Sequence, residues 1–250
     1  MRMTAGPVPA PVPAPAPAPR TDDPAQPWLS SPVPGLWAVR VSVYAERARE
    51  LEGMLDDTER ARLQGLRRAA DRDQYRVAHV VLRQLLGDRL GRDPAQVRFF
   101  REPCPGCGGP HGRPAVTDAP LHFSLSHAGD AVLVAFADRP VGVDVERRPD
   151  PELAAQVSTE LAEVLHPAER AELSALPAGE RPAAVARCWS RKEAYLKGVG
   201  IGLGGNPTLT YVGTRATASA PPGWTVADVP AFPGYVAARA VRTRRLGSFS

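Results

Sequence analysis

The sequence predicts an α+β fold, and two observations carry that prediction. Apolar residues recur with a period of two in some segments, as strands require, and at helical spacing in others. These segments come in mixed order rather than in strict strand–helix alternation, which disfavours a purely parallel sheet. Hydrophobic residues make up 43% of the 250, enough for one large domain or two small ones.

The elements follow in chain order. Residues 1–34 form a leader dominated by Pro and Ala, as in Pro7-Val-Pro-Ala-Pro-Val-Pro13. Proline favours an extended chain and the segment has little apolar surface to bury, so disorder is expected there. Trp37-Ala-Val-Arg-Val-Ser-Val43 alternates and reads, with Leu36, as a strand. Asp57-Thr-Glu-Arg60 puts acidic and hydroxyl residues at the front of a helix. Residues 71–90 read as a longer helix, because Val77, Val81, Leu82, Leu85 and Leu86 recur at helical spacing; Arg76 and Arg83 share one of its faces. Pro94 opens a new element, Val97–Phe100 reads as a strand, and residues 101–120 read as a Pro/Gly-rich loop. Strands are expected at 121–126, 131–137 and 141–146. Helices are expected at 151–163, 168–176 and 181–198, the last closed by a glycine-rich turn from Gly198 to Gly205. Further strands are expected at 208–213, 224–229 and 234–241.

Charge and cysteine content narrow the setting. A net charge of +4 suits an anionic partner such as a nucleotide, an acidic protein or nucleic acid, although an arginine and alanine bias explains it equally well. The basic end at Arg239, Arg242, Arg244 and Arg245 reads as a solvated tail. No apolar run approaches a membrane span, and prolines interrupt the N-terminus where a secretory signal would need a continuous apolar stretch. A soluble, cytoplasmic protein is therefore expected. Three cysteines, an odd number, do not read as a disulfide framework.

Pro140-Val-Gly-Val-Asp-Val-Glu146 is the most informative run. In a strand, its period of two sends Val141, Val143 and Val145 to one face and places Asp144 and Glu146 on the other, about 7 Å apart. Such carboxylates suit a hard divalent cation such as Mg2+. Acids on the wet face of an ordinary strand are the plain alternative. A third carboxylate, Glu193, lies in Trp189-Ser-Arg-Lys-Glu-Ala-Tyr-Leu-Lys197, four residues before Lys197 on one helix face. A surface ion pair is the plain alternative there. Phe123-Ser-Leu-Ser-His127 forms a polar strand end. Cys104-Pro-Gly-Cys107 with His111 offers possible zinc ligands, against a simple Gly/Pro turn.

In combination, Gly112-Arg-Pro114, Phe123-Ser-Leu-Ser-His127, Val141-Gly-Val-Asp-Val-Glu146 and the Trp189–Lys197 run resemble the surfactin-synthetase type of 4′-phosphopantetheinyl transferase, over residues 36–242. The resemblance implies transfer of the phosphopantetheine arm of coenzyme A to a serine of an acyl or peptidyl carrier protein, with release of adenosine 3′,5′-bisphosphate. It implies two similar α+β halves, residues 35–139 and 140–245, forming a pseudo-dimer with coenzyme A in the cleft between them. It makes Asp144, Glu146 and Glu193 the Mg2+ ligands. Lys197 and His127 become pyrophosphate contacts with Ser126 beside them. Arg113 stands where the family has lysine and holds the nucleotide end; arginine keeps the charge and adds a planar fork suited to phosphate. Arg62, alone or together with Arg60 or Arg76, meets the 3′-phosphate. Lys197 beside a charged Glu193 is a poor base, because an opposite charge raises a lysine pKa, so Glu193 or Glu146 is the better general base. A monomer that binds neither nucleic acid nor membrane is expected. The competing reading is a non-catalytic coenzyme A or carrier-protein binding module. A nucleic-acid binder fits less well, because only 6% of residues are aromatic and no aromatic-basic recognition motif is present.

Overall fold

The computed structural model describes residues 29–30, 33–149 and 154–243. Strand β1 (Leu29–Ser30) precedes β2 (Leu36–Arg40), which runs directly into helix α1 (Val41–Glu50). Helix α2 (Asp57–Gly65) begins at a capping box in which the Glu59 N–H donates to the Asp56 side chain and the Asp56 N–H donates to that of Glu59. Helix α3 (Ala69–Leu90) ends at Gly91. A small hairpin, β3 (Phe99–Arg101) with β4 (Pro114–Val116), leads to β5 (His122–Ala128), β6 (Ala131–Ala137) and β7 (Val141–Arg147). Helices α4 (Ala154–Glu163), α5 (Pro167–Ala175) and α6 (Arg181–Val199) come next, then β8 (Trp224–Asp228) and β9 (Tyr235–Arg242). The chain is thus mixed α+β. Among the described residues no helix is long and apolar enough to cross a membrane.

Two antiparallel sheets organise these elements, one ordered β1-β2-β6-β5 and the other β7-β9-β8. Alternation decides which layer each side chain joins. From the first sheet, Trp37, Val39, Val132 and Val134 face α3 and pack with Val77, Val81, Leu85 and Leu86. Leu36, Ala38, Leu133 and Ala135 point the other way and meet Val141, Val143 and Val145 of β7. Burying each such aliphatic chain contributes roughly 1.5–3 kcal/mol.

The edges β5 and β7 of the two sheets are joined by serine hydroxyls. Val143 N–H donates to Ser124 Oγ at 3.0 Å, and Val145 N–H to Ser126 Oγ at 3.3 Å. On its other face β7 meets α6. Gly142 permits this approach, since a Cβ there would lie 1.9 Å from the Ala194 carbonyl oxygen. Helix α6 therefore lies directly over Asp144.

Several sequence expectations are corrected. Val41–Val43 is helix rather than strand, because Asp130, in the turn after β5, caps it from afar. The Ser42 N–H donates to Asp130 Oδ1 at 2.6 Å and Ser42 Oγ to Oδ2 at 3.0 Å. The loop expected at 101–120 contains β4. Residues 208–213 are not a strand, because buried side chains take their backbone groups instead. Lys192 Nζ donates to the Thr210 carbonyl, and the Val212 N–H donates to Glu169 Oε1 at 2.7 Å. Of the expected leader, residues 1–28 and 31–32 lie outside the described residues, while Leu29 and Ser30 pair with Ala38 and Trp37. The helix expected from 151 is described from Ala154; residues 150–153 lie outside the described residues.

Candidate active site

Asp144 is the centre of a polar cluster under α6. It is 2% exposed. Lys197 Nζ donates to its Oδ1 at 2.6 Å and to Ser126 Oγ at 2.9 Å, and Ser126 Oγ donates to the same Oδ1 at 3.0 Å. Ser190 Oγ donates to the Asp144 carbonyl at 3.3 Å. Ser190, Glu193 and Lys197 thus occupy one stripe of α6 facing β7, as helical spacing dictates. Lys197 makes its ion pair with Asp144, and its side chain remains 30% exposed.

The carboxylates repel one another here. Burial, then the charge of Asp144, pushes the Glu146 carboxyl up to about 7; Glu193 adds to this, while Lys197 and a hydrogen bond from Trp189 oppose it. Burial and then Asp144 also raise Glu193. Asp144 Oδ2 and Glu193 Oε1 are buried without any hydrogen-bond partner. An orphaned buried oxygen costs its desolvation penalty, about 1–3 kcal/mol and more when charged. A cation with a preference for oxygen ligands would relieve the repulsion and satisfy both atoms, so Asp144, Glu146 and Glu193 fit a Mg2+ ion. The three acids are not drawn into a closed cage. Among the described residues, Cys104, Cys107 and His111 are the set of three potential ligands whose donor atoms all lie within 4.8 Å of one another.

A cavity of about 540 Å³ adjoins the cluster, with Lys197, Arg113, His79, Tyr75 and Ser124 in its wall. Arg113 is held firmly. Its Nη2 and Nε donate to Glu102 Oε2 at 2.6 and 3.0 Å, and its Nη1 to the Gly198 carbonyl at 2.9 Å. The arginine thereby ties the β3–β4 hairpin to the end of α6. Across the cavity, His79 stacks on Tyr75 with ring centres 4.0 Å apart, and its Nδ1 lies 2.8 Å from Glu59 Oε1. Glu59 is fixed in turn by buried Arg83 at 2.5 Å, whose Nη2 also donates to Asp56 at 2.6 Å.

The expected residues are distributed unevenly about this site. Asp144, Glu146, Glu193, Lys197 and Ser126 come together. Ser126 is buried among Asp144, Lys197 and the β7 backbone. His127 stands near the end of β5, where desolvation by the surrounding protein, then the charges of His79 and Lys197, hold its imidazole below the usual range. Arg62 stands exposed on α2 and outside the cavity wall, although its charge reaches Tyr75. Arg60 pairs with Asp57, and Arg76 with Glu52 and Asp73. Sequence reasoning missed Glu102, Tyr75, Glu59 and His79. The Asp56–Glu59 capping spacing marks Glu59, but no local signal pairs it with His79.

Residues 140–222, which contain β7 and α6, match the family described as the 4′-phosphopantetheinyl transferase superfamily. A phosphopantetheinyl transferase of Thraustochytrium sp. is 31% identical over 184 residues, covering 67% of this chain and 61% of that protein. The 4′-phosphopantetheinyl transferase HetI of Nostoc sp. is 29% identical over 174 residues, 67% of this chain and 69% of its own length. Sfp of Bacillus subtilis, also described as a 4′-phosphopantetheinyl transferase, is 29% identical over 126 residues, half of each chain. The matches therefore span from half to about two thirds of these relatives. With its acidic strand and its Glu193–Lys197 helix inside the matched region, the chain is similar to members of the 4′-phosphopantetheinyl transferase superfamily.

Proposed function

We propose that the protein transfers the 4′-phosphopantetheine arm of coenzyme A to a serine of an acyl or peptidyl carrier protein, releasing adenosine 3′,5′-bisphosphate. The observation that carries this reading is the carboxylate cluster of buried Asp144 and Glu193 with half-buried Glu146, in which Asp144 and Glu193 each keep an oxygen without a partner, beside a cavity walled by Lys197 and Arg113. Residues 35–139 and 140–245 serve as two related halves with coenzyme A in the cleft between them, each half built on an antiparallel sheet and one long helix. A monomer working in the cytoplasm is the matching setting, and the free cysteines suit a reducing compartment.

Asp144, Glu146 and Glu193 would hold Mg2+, which when bound offsets the negative charge of the diphosphate. Lys197 takes a phosphate oxygen of the coenzyme; its three donors and partial exposure let it serve Asp144 and a ligand together. Arg113 orients the nucleotide end, and Ser126 and His127 line the approach to the diphosphate. Arg62 requires a swing of its exposed side chain to reach the 3′-phosphate. The carrier serine oxygen attacks the phosphorus that bears the pantetheine arm, and the diphosphate bond breaks. The serine proton passes to Glu146 or Glu193, whose carboxyls are held above their usual range by burial and then by the charge of Asp144.

Incubating the protein with coenzyme A, Mg2+ and a panel of apo carrier proteins tests the reading. Mass spectrometry should show the arm added to one serine. Asp144→Ala should abolish transfer while leaving coenzyme A binding. Transfer by the variant at the wild-type rate would remove the metal assignment, and coenzyme A binding with no transfer to any carrier would favour the binding module.

A further inference from the structure

The hairpin between β3 and β4 carries a second ligand cluster that the transfer reaction does not use. Glu102 N–H donates to the Arg113 carbonyl and Gly112 N–H to the Glu102 carbonyl, both at 2.9 Å, closing the base of the loop. At the tip, Gly108 N–H donates to the Cys104 carbonyl at 2.7 Å and Cys104 N–H to the Gly109 carbonyl at 2.8 Å. Cys107 Sγ lies 3.0 Å from His111 Nε2, and the donor atoms of Cys104, Cys107 and His111 all lie within 4.8 Å of one another. Gly109 leaves the room for this. A Cβ there would stand 3.0 Å from the His111 ring and 3.3 Å from Cys107 Sγ.

We propose that Cys104, Cys107 and His111 bind a zinc ion at the tip of this hairpin. Two thiolates and an imidazole on a tight turn are ligands that select zinc over the hard Mg2+ expected at the carboxylates. The fourth tetrahedral position has no protein donor in the set and is left to water or an anion. The consequence is positional. The same hairpin carries Arg113 and supplies His111 and Gly112 to the cavity wall, so a metal at its tip fixes the rim beside the nucleotide end. That role rests on the transferase reading; zinc binding itself does not.

The test uses the full chain, purified under reducing conditions, equilibrated with one equivalent of zinc and stripped of loose metal on a chelating resin. One zinc per chain is expected, falling to none in the Cys104→Ser, Cys107→Ser double variant and kept in Cys188→Ser, whose thiol is buried in the α5–α6 core. Cobalt in place of zinc should give the visible bands of a tetrahedral thiolate site. Alkylation of the wild type covers the case of a variant that fails to fold. Cys104 and Cys107 should be protected by zinc and labelled after chelation, with Cys188 unreactive in both states. Wild-type chain that retains no zinc, zinc retained by the double variant, or equal labelling of Cys104 and Cys107 with and without zinc would each overturn the proposal. Loss of zinc with carrier modification intact would remove only the positional role.

Discussion

Helix α6 buries charge on two faces, and the two are built differently. Toward α5 and residues 207–216 the charges are closed. Lys192 and Glu169 pair at 2.7 Å, both wholly buried, and Glu169 also accepts from the N–H groups of His166, Val212 and Gly213. Arg191 spends its guanidinium on Asp228 at 2.6 Å and on the carbonyls of Gly213, Arg215 and Ala216. Toward β7 the charges are open. Asp144 and Glu193 each keep a buried oxygen without a partner, and burial, then the charge of Asp144, pushes the Glu146 and Glu193 carboxyls upward. Closed buried charge holds loops onto a helix, whereas open buried charge is a stability cost that persists where a ligand completes it.

Substitution should separate the two faces. The largest effect on folding is expected from Lys192→Met, which strands Glu169 uncompensated. Denaturant unfolding should show a loss of about 3–5 kcal/mol. A neutral result would show that the closed face is not structural. Asp144→Asn should do the reverse, lowering carrier modification by about 10²–10³-fold or more while moving unfolding stability by under about 1 kcal/mol. Loss of stability comparable to that of Lys192→Met would erase the distinction.

The pH dependence sharpens the contrast. Because Glu146 is raised from 4.5 to about 7 in the fold, the folded chain binds more protons than the unfolded chain in that window. Stability without added metal should therefore fall as pH rises from about 4.5 to 7 and level off above. Glu146→Gln should flatten this slope in a series of thermal melts, and an unchanged slope would reassign its origin. The smallest effect is expected from Glu193→Gln, which removes an unpartnered charge. Its melting temperature should match or slightly exceed that of the wild type, with transfer impaired.

Much of this was legible in the sequence, for identifiable reasons. The valine alternation of β7 fixes which face Asp144 takes, and the spacing of Trp189, Glu193 and Lys197 sets a single stripe on α6. Both signals are local periodicities. What stayed hidden depends on long-range contacts. Asp130 turns Val41–Val43 into helix from across the fold, and Lys192 and Glu169 claim the backbone that would have made 208–213 a strand. The grip of Glu102 on Arg113, and of Glu59 on His79, likewise joins residues whose spacing carries no periodic mark.

The central claim is that the β7 face of α6 is completed by a divalent cation. Manganese binding followed by electron paramagnetic resonance, with coenzyme A present, tests it most directly. The account predicts one tightly held Mn2+ per wild-type chain, unaffected by Cys104→Ser, and none in Asp144→Asn, Glu193→Gln. Equal manganese binding by the wild type and the double variant would contradict it.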